Sequence, residues 1–132
     1  MTTIDTKNVY FHAVQTNDLA QLGALVAADV VWHQPGDNQF SGTHVGAATA
    51  FAMIGDMIKV SDGTFQIDQV KDVMANGTQV AATIHFSGQR PDHAMALTGV
   101  DVFSVSNGQI TEVWLYSSDQ AVEDAFLSLI HI

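Results

Sequence analysis

The sequence predicts an α+β fold in which helices cover one face of a curled, mostly antiparallel sheet. Three observations predict it. Apolar residues recur at helical spacing through the first part of the chain. Asn76-Gly77 and Asn107-Gly108 each join two β-rich runs, the strongest short-range hairpin signal. The runs they join are long, which implies a strongly twisted sheet.

The elements follow in order. Val9, Tyr10, Ala13 and Val14 share one helical face, and Leu19, Leu22, Leu25 and Val26 share another behind an Asn17-Asp18 cap. Val30-Val31-Trp32-His33-Gln34 reads as a short strand closed by Pro35-Gly36. Gly42-Thr43-His44-Val45-Gly46 reads as the lead into a helix, and its acidic surroundings argue against an anion site there. Ala47, Ala50, Phe51, Ile54, Met57 and Ile58 form the apolar face of that helix, and Ser61-Asp62-Gly63 ends it. Four strands then run as a meander over 64–75, 78–88, 94–106 and 109–116, with a longer turn at Gly88-Gln89-Arg90-Pro91-Asp92. Ser117 with Gln120 offers a capping box for a last helix carrying Val122, Phe126 and Leu129.

A chain of 132 residues, 47% of them apolar, is expected to form one domain over 1–132 with a single substantial core. Fourteen acids against four bases give a net charge of −10, which disfavours nucleic acid and anionic membrane surfaces as partners. With no cysteine, disulfides, thiolate metal sites and a cysteine nucleophile are all excluded, and a reducing cytoplasm is the expected location. The start, MTTIDTKNVY, has no basic segment followed by an apolar run, so no signal peptide is expected. No apolar run approaches the roughly 20 residues of a membrane-spanning helix.

Asp101 is the most informative polar residue. Strand alternation puts it on one face with Leu97, Phe103 and Val105. A carboxyl group there is desolvated, and a raised pKa would keep it neutral and able to donate a hydrogen bond to a developing oxyanion. The alternative is a buried aspartate satisfied by backbone or a tyrosine, with a structural role only. Tyr10, among apolar residues of the first helix, is either a core aromatic or a second donor. The six histidines (12, 33, 44, 85, 93 and 131) show no His-x-His or His-x-x-x-His spacing, so no metal is expected. His85 alternates with Thr83 and Ser87 on a surface or subunit-contact face, and His33 faces away from Trp32 and Gln34 if its strand stays regular. No nucleophile elbow, phosphate loop or dinucleotide fingerprint is present, and no cofactor is expected. Trp32, Phe51, Trp114 and the methionines at 53, 57 and 74 read as core and pocket wall.

Two N-terminal helices, the W-H-x-P-G strand end, the Ser41-Gly42-Thr43 turn into a helix and the hairpin meander ending in Asn-Gly-Gln-Ile-Thr-Glu-Val-Trp make a familiar order. The chain resembles the nuclear transport factor 2-like superfamily over nearly its whole length, and within it the SnoaL-like polyketide cyclase and ketosteroid isomerase branches. That resemblance implies a cone-shaped (cystatin-like) sheet, often dimeric through the sheet, and a pocket for a small, largely apolar, polyketide- or steroid-like molecule. Tyr10 stands eight residues before Asp18-Leu19, where ketosteroid isomerases carry an oxyanion-hole tyrosine, and Asp101-Val102-Phe103 matches their Asp-x-Phe strand. Their general base, sixteen residues beyond the Asp-Leu acid and directly before a proline, falls here on Gln34 before Pro35. An amide has no usable basicity at neutral pH, so this position can orient a ligand but cannot shuttle a proton. The resemblance implies Tyr10 and Asp101 as oxyanion donors and His33, Asp37 or His44 as a relocated base. It implies Trp32, Gln34, Phe51, Phe103 and Trp114 as ligand contacts. Related epoxide hydrolases need an arginine between two carboxylates, and Arg90 falls in a turn, which argues against that activity. Two functions stay open: an isomerase-, cyclase- or dehydratase-like enzyme, and a non-catalytic ligand-binding or structural dimer module.

Overall fold

The computed structural model describes residues 10–13, 15, 18–91 and 93–128. Val9, Val14, Asn17, Asp92, Leu129 and His131 of the sequence reading lie outside them. Residues 10–13 are helical, and a second helix, α1 (Leu19–Leu25), follows with Asp18 as its cap, whose side chain accepts from the Gln21 N–H at 3.1 Å. The chain passes from α1 into β1 (Val26–Gln34) without a loop. Val26, expected as the last helical apolar residue, instead opens β1 in extended geometry, paired with Ile110 of the last strand. Sheet pairing of a buried β-branched residue outweighs the helical periodicity there.

β2 (Gly42–Val45) is a strand where the sequence predicts only a lead into the helix. It pairs antiparallel with β1 from Val31↔Val45 to Gln34↔Gly42. Helix α2 (Ala47–Val60) buries Ala50, Met53 and Met57, and it ends at Ser61-Asp62, where Asp62 takes a positive φ of 57°. The meander is β3 (Gln66–Asn76), β4 (Gln79–Gln89), β5 (Ala94–Ser106) and β6 (Gln109–Ser117), within two residues of the expected bounds. β6 also pairs parallel with β1, which closes the order β2-β1-β6-β5-β4-β3 in one six-stranded, curled and unclosed sheet. Register shifts in the β3–β4 and β5–β6 pairs mark bulges that bend it.

The core lies on the concave face. Along β4, Val80, Ala82, Ile84 and Phe86 are buried while their neighbours are half-exposed, the alternation of a sheet covered on one side. The last helix, α3 (Gln120–Leu127), is capped by Asp119, whose side chain accepts from the Val122 N–H at 3.2 Å. The expected Ser117 box does not form, because Ser117 is still in β6. At the other end of α3, the buried Arg90 guanidinium donates to the carbonyls of Phe126 and Ser128. A cation there complements the helix dipole and pins α3 to the end of β4. Among the described residues no helix is long and apolar enough to cross a membrane.

Candidate functional site

A cavity of about 1000 Å³ opens between the concave face of the sheet, α2 and α3. Phe51, Ile54 and Met57 of α2 form one wall, and Ile84, Phe86 and Leu115 of the sheet form the facing one. Among its polar lining residues, Tyr10, Gln34, Asp101 and Glu123 are buried, whereas Gln15, Thr64, Gln66 and Tyr116 stand at its exposed rim. Alternation explains two of the buried ones. Trp32 and Gln34 point inward from β1, and Asp101 and Phe103 point inward from β5. A more open depression at the β3–β4 and β5–β6 turns is lined by Ala24, Thr78 and 105–109, none of them ionisable.

Asp101 is buried, and desolvation followed by the nearby Glu123 carboxylate pushes its pKa up to about 7. Tyr10 is shifted upward too, first by burial and then by the charge of Asp101. Among the described residues neither group has a hydrogen-bond partner, so both offer a donor to whatever fills the cavity. Phe103 is wholly buried behind them and meets the Tyr10 ring edge-on, with centroids 5.1 Å apart. It positions Tyr10 and does not line the cavity. The Trp32 indole donates to Gln34 Oε1 at 3.1 Å. An indole nitrogen can only donate, so the amide oxygen is fixed and the Gln34 NH₂ is left as a third donor.

Glu123 escaped the sequence reading. It lies on the buried face of α3 with Phe126 and Leu127, an i, i+3, i+4 spacing that was the available signal. Burial raises its pKa, the Asp124 charge raises it further, and a hydrogen bond from Gln120 opposes both. Gln120 Nε2 donates to Glu123 Oε2 at 2.6 Å and to Asp124 Oδ1 at 3.0 Å. Asp124 also accepts from Asn38 Nδ2 at 2.8 Å and from the Asp37 N–H at 3.1 Å. These bonds outweigh its slight desolvation and hold Asp124 below the usual carboxylate range. Asp124, bonded in turn by Gln120, thus ties this helix face to the turn at Asp37-Asn38.

Of the expected site residues, the cavity gathers Tyr10, Trp32, Gln34, Phe51 and Asp101. It does not gather His33 and Trp114, which stand on the opposite face of the sheet. β1 has a register irregularity between Val26 and Val31 but alternates regularly from Val30 to its end, so His33 points away from its neighbours Trp32 and Gln34. Its ring stacks on Trp114 at 5.6 Å, and its Nε2 meets Glu112 Oε2 at 2.7 Å. His44 is engaged with the Phe40 carbonyl at 2.7 Å, and Asp37 is exposed on the turn. None of the three lines the cavity as a relocated base would. Among the described residues no cluster of three or more His, Asp or Glu side chains could hold a metal ion.

Residues 9–113 match the SnoaL-like domain family, and the chain belongs to that family. Its fold is that of the nuclear transport factor 2-like, cystatin-like proteins. A protein of unknown function with a cystatin-like fold from Xanthomonas campestris is 48% identical, covers 97% of this chain and 99% of its own, and superposes with a TM-score of 0.94. TerC, co-crystallised with polyporic acid, is 15% identical with a TM-score of 0.81, covering 96% of this chain and 98% of that one. A putative polyketide cyclase from Sinorhizobium meliloti is 20% identical with a TM-score of 0.68, covering 87% and 99%. The last two likenesses show the fold alone. No curated protein sequence matches the chain.

Proposed function

We propose that the cavity binds a small, largely apolar molecule through an oxygen atom and carries out acid–base chemistry on it, such as isomerisation, cyclisation or dehydration. One observation carries this reading. Tyr10 and Asp101, both buried, turn donors that have no partner among the described residues toward one apolar cavity. A developing oxyanion placed against them gains two hydrogen bonds in a low-dielectric site, and its charge keeps the proton on Asp101. Fold relatives described as a putative polyketide cyclase and as co-crystallised with polyporic acid make a small-molecule ligand the expectation for such a cone.

A second reading, binding without turnover, is favoured by Gln34. The amide is locked as a donor by Trp32 and stands where related isomerases carry their base. We further propose that the chain forms a homodimer through the outer face of the sheet.

The first test is a fluorescence titration with the polycyclic phenol 2-naphthol, read by Trp32 in the cavity wall. Saturable binding should weaken by roughly 1.5–3 kcal/mol in Tyr10→Phe, the worth of a hydrogen bond to a charged oxygen, and collapse in Asp101→Leu. Equal affinity in all three proteins would remove both residues from the site. Turnover separates the two readings.

A further inference from the structure

We propose that Glu123 is the proton-transferring base of this cavity, acting on a ligand whose enolisable carbonyl oxygen rests against Tyr10 and Asp101. This inference rests on the pocket reading above and assigns the group that reading lacks. Gln34 has no basicity, and His33, His44 and Asp37 do not line the cavity. Glu123 enters the same cavity from α3, whereas Asp101 enters it from β5, so both carboxyl groups face whatever the cavity holds.

The two carboxyl groups line one buried space, and the Glu123 charge disfavours ionisation of Asp101. Their surroundings decide which one ionises. Asp101 has no hydrogen-bond donor among the described residues, whereas Glu123 accepts from Gln120 Nε2 at 2.6 Å, a bond that favours its anion. Glu123 therefore gives up its proton first, and Asp101 stays neutral beside it. Environments that push a carboxyl pair apart in this way set one as base and the other as hydrogen-bond donor. Gln120 is in turn held by Asp124, which is anchored to the 37–38 turn, so the base is carried on a fixed side chain.

The step balances without a co-reactant. Glu123 takes the proton from the carbon next to the carbonyl, and the C–H electron pair becomes the C=C bond. The carbonyl π pair moves onto oxygen, where Tyr10 and Asp101 hold the charge. Glu123–H then returns the same proton to that carbon or to a conjugated one, and no atom is oxidised or reduced.

The experiment follows deuterium uptake from D₂O at the α-carbon of 2-tetralone by NMR, alongside 2-naphthol binding. The wild-type protein should accelerate exchange over buffer, and Glu123→Gln should lose about 10²- to 10⁴-fold of that acceleration while still binding 2-naphthol. Glu123→Ala should lose it equally and regain part of it with added acetate, a rescue that a merely structural side chain would not give. Wild-type exchange rates in folded Glu123→Gln would overturn the proposal. So would a wild-type protein that binds 2-naphthol yet exchanges 2-tetralone no faster than buffer. Failure to bind 2-naphthol at all would instead overturn the pocket reading on which the base depends.

Discussion

At the level of single residues, Asp101 makes stability depend on pH in the direction opposite to most carboxylates. Its pKa is about 7 in the folded chain against an ordinary 3.8, so between those values the native state holds a proton that the unfolded state has released. Stability is therefore highest below pH ~4 for this group and falls as pH rises to ~7, by about 4 kcal/mol across that window. Asp101→Asn removes the titration. Urea unfolding at a series of pH values should show the variant gaining on the wild type steadily from pH ~4 to ~7 and running parallel to it above. A constant difference across the series would place the Asp101 proton elsewhere. The same residue shows why half of the site could be read from sequence. Tyr10, Trp32, Gln34 and Asp101 are polar or amphipathic groups set among apolar neighbours, and period-two alternation alone decides the face of the last three. The alternation also sends His33 outward, and only the resemblance drew it into the site. Glu123 shares a face with Phe126 and Leu127, but on a helix of eight residues that spacing spans little more than two turns and competes with the Val122–Phe126–Leu129 face.

Among the elements, α3 is the one whose placement matters most, since it brings Glu123 to the cavity. Arg90 and Gln39 hold the carbonyls at its C-terminal end, and Asp124 fastens it to the turn that follows β1. The Asp124 fastening requires glycine at position 36. Its φ is +87°, and a Cβ built there would lie 2.1 Å from Asp124 Oδ1 and 2.3 Å from Gln120 Nε2. Gly36→Ala should therefore cost about 1–3 kcal/mol through backbone strain and should displace the Gln120–Asp124 pair. Hydrogen exchange should then rise over 120–127 with little change in β4 and β5. Unchanged protection of α3 would mean that the turn does not hold it. This fastening joins residues 86 and 87 positions apart, a separation no local pattern encodes. Local signals served where chemistry was local: the two Asn-Gly turns fixed the meander, and Asp18 capped α1. They failed at β2, whose four residues are a strand only because β1 lies beside them.

For the whole molecule, the sheet presents two unlike faces, and the outer one carries the proposed self-association. Cross-strand register lines up Met74, Ala81, Val102, Trp114 and His33 in one row across β3, β4, β5, β6 and β1. Met74 is 59% exposed, and four of the five residues of the row are apolar on a chain bearing a net charge of −10. An apolar row of this kind suits the proposed two-fold dimer. Two copies of equal negative charge repel, so added salt should strengthen the dimer until screening is complete. Sedimentation velocity should return twice the 14.2 kDa chain mass in the wild type, with the dimer fraction rising with ionic strength. Trp114→Glu places a charge in the middle of the row and should shift the protein to single chains while leaving 2-naphthol binding intact, because Trp114 lies outside the cavity. A wild-type chain that sediments at 14.2 kDa at every concentration and salt would leave the outer face without a partner copy. Loss of ligand binding on forced dissociation would show that the two faces communicate through the sheet, since β5 carries Asp101 on one side and Val102 on the other.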